Sequence, residues 1–151
     1  MSNEELKQRI SEIMPGLDFE EKQYLTLTIH PDAFIELAPK LKEDGPLSLD
    51  YMFNLSGVDY GKELGVTYYF TSSEYHHILV VKIKTEDREN PSFHTVSHIW
   101  RTAEFHEREV FDLFGIRFKN HPDLRRIFLD DNWEGYPLRK DYVDDVNIIE
   151  R

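Results

Sequence analysis

The sequence predicts an α+β fold: a small, mostly antiparallel or mixed four-stranded sheet packed by helices in the order α-β-α-β-β-β-α, followed by an extended C-terminal arm. Three observations carry this. Before residue 90, segments with apolar residues at every second position are interleaved with segments of helical period. The length of 151 residues suits one unit with a moderate core, so residues 1–142 are expected to form a single domain and 143–151 a short tail. Past Gly115, Pro, Gly and Asn are too frequent for long regular elements, yet Trp133, Tyr136, Pro137, Leu138 and Tyr142 carry too much apolar surface to stay in water.

The elements follow in order. Leu6, Ile10, Ile13 and Met14 recur at helical spacing, and Pro15-Gly16 stops the helix. "YLTLTI" puts Leu25, Leu27 and Ile29 on one side, which predicts a half-buried strand. Phe34, Leu37, Ala38 and Leu41 form a helical stripe that ends near Gly45-Pro46. "LSLDYMFNL" alternates strictly, placing Leu47, Leu49, Tyr51, Phe53 and Leu55 on one face. "SGVDYGKELG" reads as a turn, and Val66, Tyr68 and Phe70 open the next strand. "HILVVKIK" is apolar throughout its middle, as expected of a strand covered on both faces. After the charged loop "TEDRENPS", Ser92 or Thr95 can cap a short helix through "VSHIW". Thr102 can cap a second one over 103–114, with Gly115 as its left-handed stop.

Composition removes several function classes. Eighteen Lys and Arg against 29 Asp and Glu give a net charge of −11, which opposes binding to nucleic acid or an anionic membrane surface. With no cysteine there is no disulfide, thiolate zinc site, all-cysteine iron–sulfur cluster or cysteine nucleophile. No dinucleotide or phosphate-loop glycine pattern occurs, and Ser56 does not match the nucleophile elbow. The first residues lack the pattern of a secretory leader and no apolar stretch has the length of a membrane span, so a soluble, cytosol-facing protein is expected.

The stretch "EREVFDLFGIRFKNHPDLRRI" concentrates the charge. On a helix Glu104, Arg108 and Asp112 fall at i, i+4 and i+8, which offers two ion pairs, and Glu109 and Asp112 are i, i+3. Paired carboxylates can divide acid and base roles or hold a metal, but the same spacing makes an ordinary salt-bridged face. His94 and His98 are i, i+4, the spacing of helical metal ligands, which admits a small stand-alone metalloenzyme as a rival reading. Position 95 is Thr rather than the Glu of the zincin pattern, and His106 falls on the apolar stripe. Arg125-Arg126 and Arg139-Lys140 either close back on Glu107, Glu109 or Asp112 or reach acids on a partner. Beside Phe111, Phe114, Phe118, Trp133 and Tyr136 they fit an interface of aromatic anchors, or equally a core boundary.

Glu107-Arg108-Glu109, Asp112, Leu113-Phe114, His121, Arg125 and Ile127-Phe128 resemble, residue by residue, the signature of the 30 kDa subunit family of the respiratory-chain NADH dehydrogenase. "HPDLRRI" and "GYPLRKDY" downstream resemble its tail, and Asn90-Pro91, Val96, Trp100 and Ala103 its lead-in. The chain departs from the usual pattern at His94, Phe105, Asn120 and Val143, none of them a charged signature residue.

The resemblance implies a peripheral-arm subunit of complex I, not catalytic by itself, on the cytoplasmic side of the membrane and touching the membrane only through the complex. FMN and iron–sulfur clusters would lie in partner subunits and none in this chain. The partners would be chiefly the large quinone-site subunit, known as the D polypeptide, and its small iron–sulfur neighbour. Glu107, Arg108, Glu109, Asp112, His121, Arg125, Arg126, Trp133, Arg139 and Lys140 would serve docking or bracing. Similar subunits occur in membrane-bound hydrogenases and other complex I-like oxidoreductases, so the signature leaves the electron donor open.

Overall fold

A computed structural model describes residues 1–130 and 132–142 of the chain. The α+β class holds. Helices α1 (Asn3–Ile13), α2 (Pro31–Glu43) and α3 (Ala103–Phe114) accompany strands β1 (Asp18–Glu21), β2 (Leu25–Thr28), β3 (Tyr51–Asp59), β4 (Leu64–Thr71) and β5 (Ile78–Thr85), and two three-residue strands, β6 (Ser92–His94) and β7 (Arg117–Lys119). The main sheet has order β1-β2-β5-β4-β3. Only β2 and β5 run parallel within it, and β6 pairs in parallel with β7 in a separate ribbon.

Local chemistry fixes the helix ends. Ser2 accepts the Glu5 N–H while Glu5 reaches back to the Ser2 N–H, a reciprocal cap. Pro31 opens α2, and the His30 imidazole accepts the Asp32 N–H at 3.1 Å. Leu6 and Ile10 of α1 and Phe34, Leu37 and Leu41 of α2 pack with Leu25, Leu27, Val66, Tyr68, Phe70, Leu79 and Val81 in one core. Trp100 closes its end: its ring lies 4.4 Å from that of Phe70, and its indole N–H donates to the Leu49 carbonyl at 2.8 Å.

Four expectations need correction. The main sheet has five strands rather than four, because "DFEE" pairs with β2. Only Phe19 of this edge strand packs against the core, so no alternation announces it, and its acids keep the edge from recruiting other strands. The face assigned to "LSLDYMFNL" is also wrong in its second half: Leu47, Leu49, Met52 and Leu55 are buried, whereas Tyr51 and Phe53 are exposed. Ser48 adopts φ 42° ahead of β3 and the register shifts between Met52 and Asn54, so the inward phase is reset twice. "VSHIW" forms turns rather than a helix. Finally, β5 is covered by helices on one face only. As the central strand it buries its outward Val80 among side chains of the strands beside it.

Candidate functional site

The signature helix α3 lies across β3, and the backbone must come close for it to do so. A Cβ at Gly57 would meet the Phe114 ring at 2.5 Å. Thr102 does not cap the helix with its side chain; its hydroxyl donates to the Met52 carbonyl at 2.6 Å and ties the first turn to the sheet. Gly115 ends α3 in the left-handed region at φ 74°, as expected, and a Cβ there would overlap the Tyr136 ring at 2.6 Å.

Two carboxylates on α3 are fully buried, Glu107 and Asp112. Glu107 accepts the Thr95 hydroxyl and, at 3.0 Å, the Val96 N–H. It thereby fixes the turn that sequence periodicity reads as a helix. The buried His121 ring stands 3.8 Å from Glu107. His121 Nε2 donates to the Glu104 carbonyl at 2.9 Å while Nδ1 accepts the Asp123 N–H at 3.0 Å, so these bonds select the neutral tautomer protonated on Nε2. Glu107 therefore has no cation beside it, and burial pushes its carboxyl up to about 7. The buried Tyr68 hydroxyl has no hydrogen-bond partner and is pushed up by burial and by the Glu107 charge.

Asp112 faces the arm. Its Oδ2 accepts the N–H groups of Ile127, Phe128 and Leu129 at 3.1, 2.8 and 3.2 Å. Its Oδ1 lies 3.6 Å from the Arg126 Nε without a formed hydrogen bond, and the Arg126 Nη1 is likewise buried without a partner. Arg126 spreads over the Tyr136 ring at 4.7 Å and donates to the Gly135 carbonyl at 2.7 Å. Arg108, expected to pair with Glu104 or Asp112, instead donates to the carbonyls of Arg125 and Arg126 at 3.2 and 3.5 Å.

A third carboxylate completes the clamp from the sheet. Asp59 of β3 accepts both guanidinium arms of Arg88 at 2.7 and 2.8 Å, the Gly61 N–H at 2.9 Å and the Lys140 N–H at 2.8 Å. The Arg88 guanidinium holds the Asp59 carboxyl well below the usual carboxylate range, with the two backbone donors adding to the effect. Arg139 donates to the Arg88 carbonyl at 2.8 Å and pairs with Asp141. Sequence reasoning missed Asp59 and Arg88. The Asp–Gly spacing inside "GVDYG" signals the side-chain turn at Gly61, but nothing local signals the contact with Lys140, 81 residues away.

The expected site residues therefore separate. Glu107, Asp112, His121, Arg126 and Arg139 are brought together as internal braces, and Arg125 pairs with Asp123 at 2.7 Å. Lys140 contributes its backbone while its side chain is exposed. Glu109 lines a groove of about 230 Å³ with Leu55, Gly57, Leu113, Phe114 and Leu138. Trp133 is exposed, as are Phe105 (49%) and Phe128 (59%), whose rings meet edge to face at 6.4 Å.

His94 ends β6 and His98 sits in a turn, so the helical ligand spacing does not form. The His94 Nδ1 donates to the Thr95 carbonyl, and its Nε2 faces the Asn120 side-chain amide at 2.9 Å. Among the described residues no group of three His, Asp or Glu side chains is arranged to hold a metal, and no helix is long and apolar enough to cross a membrane.

Residues 27–146 match the family described as respiratory-chain NADH dehydrogenase, 30 Kd subunit. The chain is 50% identical over 100 residues to the C/D polypeptide of the NADH-quinone oxidoreductase of Phocaeicola vulgatus, a match covering 66% of this chain and 19% of that protein. It is 43% identical over 139 residues to the C polypeptide of the same enzyme in Chloroherpeton thalassium, covering 91% and 58%. To the C polypeptide of Chlorobium phaeobacteroides it is 36% identical over 140 residues, covering 91% and 84%. It thus spans about a fifth of the first of these relatives and just over half of the second. Among solved structures, a chain of the membrane-bound sulfane sulfur reductase, an archaeal respiratory membrane complex, superposes with a TM-score of 0.79 at 26% identity, covering 95% of this chain and 86% of that one.

Proposed function

The chain belongs to the 30 kDa subunit family of the respiratory-chain NADH dehydrogenase, and from that premise we propose that it is a non-catalytic peripheral subunit of a complex I-type NADH:quinone oxidoreductase that docks onto the large quinone-site subunit and supports assembly. One observation carries the docking role: the buried carboxylates of the signature spend their acceptors on the chain's own backbone. Asp112 takes three successive arm N–H groups and Asp59 takes a fourth, so the cluster shapes a surface rather than a substrate pocket. That surface turns Phe105, Phe128, Trp133 and Leu138 outward, which is the aromatic-rich composition of an interface core.

Relatives whose names join C and D in one polypeptide support the D polypeptide, the large quinone-site subunit, as the partner. In this reading FMN, the iron–sulfur clusters and the quinone site belong to other subunits, with the small iron–sulfur subunit next to the large one. The chain sits peripherally on the cytoplasmic side of the membrane, reached only through the complex.

A second reading, the equivalent subunit of a complex I-like oxidoreductase with another electron donor, is favoured by the likeness to a chain of a sulfane sulfur reductase complex. Tagged protein purified from native membranes in mild detergent separates the two. Co-purification of the large quinone-site subunit with NADH:quinone activity is expected for the first; a complex that lacks this activity supports the second. A Phe105→Asp/Phe128→Asp variant that folds yet fails to co-purify the large subunit locates the docking face, and undiminished recovery removes it.

A further inference from the structure

The sheet presents a second face that none of the contacts described so far uses. The strand register builds it in rows. Thr28, Lys82 and Thr67 lie side by side across β2, β5 and β4, and Thr26, Val80 and Tyr69 form the next row. The alternate positions Leu27, Val81 and Tyr68 point into the helix-covered core, so these rows point away from it. Phe53 and Tyr69 place their rings 5.8 Å apart at the β3 side, and Phe53 is exposed. The face is thus threonine and aromatic in character, with lysines set into it.

Charge distinguishes it from the rest of the molecule. In a chain of net charge −11, Lys22, Lys82 and Lys84 gather here. The carboxylates on this side are Asp18 and Glu20 on the outermost strand, and Glu20 pairs with Lys22 at 3.2 Å. The Lys84 ammonium rests 4.4 Å above the Tyr60 ring. Among the described residues Lys82 and Lys84 form no ion pair. Burial, then Lys22 and Lys84, hold the Lys82 ammonium below the usual lysine range, with Glu20 acting in the opposite direction. A partly desolvated cation beside two like charges is relieved by an anion placed over it, and an acidic segment repelled by the rest of the surface is steered to this one.

We infer that the helix-free face of the sheet, centred on Lys82 and Lys84, docks a carboxylate-bearing segment of a neighbouring subunit, laid across β5 and β4 beside the Phe53 and Tyr69 rings. This rests on reading the chain as a subunit of a larger assembly. It assigns a second contact on the side of the sheet opposite the helices, so the chain would bridge two elements of that assembly rather than cap one. The net negative charge disfavours a nucleic acid or an anionic lipid surface as the occupant.

The test uses the complex purified from native membranes through a tag on this chain, treated with a carbodiimide that joins lysines to carboxylates in direct contact, and mapped by mass spectrometry. Lys82 or Lys84 is expected to be joined to Asp or Glu of a different polypeptide. Lys82→Glu/Lys84→Glu should lower recovery of that polypeptide about tenfold, Lys82→Arg/Lys84→Arg should restore it, and the isolated variants should unfold at the wild-type temperature. If the double reversal does not fold, Lys82→Gln alone carries the test. Cross-links confined to this chain or to a second copy of it, with recovery unchanged by charge reversal, would overturn the proposal and leave the subunit reading standing. A tagged chain that brings down no other polypeptide would remove the subunit reading, and this proposal with it.

Discussion

Glu107 is a buried acid whose proton is retained to about pH 7. Its folded-state value lies above the ordinary 4.5, so the folded chain binds more protons than the unfolded chain between the two values. The stability it contributes is therefore present at low pH and lost as pH rises through about 7. Asp59 has the opposite sign: its value is depressed, so its contribution is present at neutral pH and lost as pH falls below the ordinary carboxylate range. In Glu107→Gln the side chain no longer titrates. Denaturant midpoints from pH 5 to 8 should show the gap between wild type and variant shrinking by on the order of 2 kcal/mol as pH rises. A pH-independent gap would mean that Glu107 is ionised throughout. Gly115→Ala combines a left-handed backbone with overlap of the Tyr136 ring, so a loss of about 2 kcal/mol is expected in the same assay. At this scale the sequence was informative about identity but not about partners. Asp112 stands out as charged within an apolar helix stripe, yet its three partners lie 15 to 17 residues away on a stretch without periodicity.

At the scale of elements, α1, α2, α3, β2, β4 and β5 were legible because each carries a period that matches the face it buries. The failures have physical causes. The inward face of β3 could not be read because the irregularity between Met52 and Asn54 shifts the phase, and such irregularities leave no apolar signature. The helix anticipated in "VSHIW" gives way to a turn because Glu107 supplies the acceptor that its Thr95 and Val96 donors need. The arm is an element without periodicity, shaped by side chains from elsewhere, so limited proteolysis should report its anchors one at a time. Asp112→Ala leaves three N–H groups and Arg126 without their acceptor, and cleavage should appear within residues 126–142 while the sheet remains resistant. Arg126→Ala should loosen the same stretch, since the guanidinium lies inside the arm rather than facing outward. Arg125→Ala, whose pair with Asp123 is exposed, should change stability by less than about 1 kcal/mol.

For the whole molecule, the clamps acquire a functional meaning. An arm shaped in advance presents its aromatic groups at a lower entropic cost than one ordered on contact, which raises affinity without new contacts. Family membership was legible in the fixed spacing of the charged residues, but the division of labour was not. Most of those residues brace the arm from within, and the outward groups are Phe105, Phe128, Trp133 and Leu138. Hydrogen exchange of the isolated full-length chain, read at single amides, tests this most directly. The N–H groups of Ile127, Phe128, Leu129 and Lys140 should be protected without any partner, and Asp112→Asn should release the first three while leaving β4 and β5 unchanged. Exchange of those four amides at unprotected rates in the wild-type chain would contradict the account, because the arm would then take its shape from the partner rather than from the buried carboxylates.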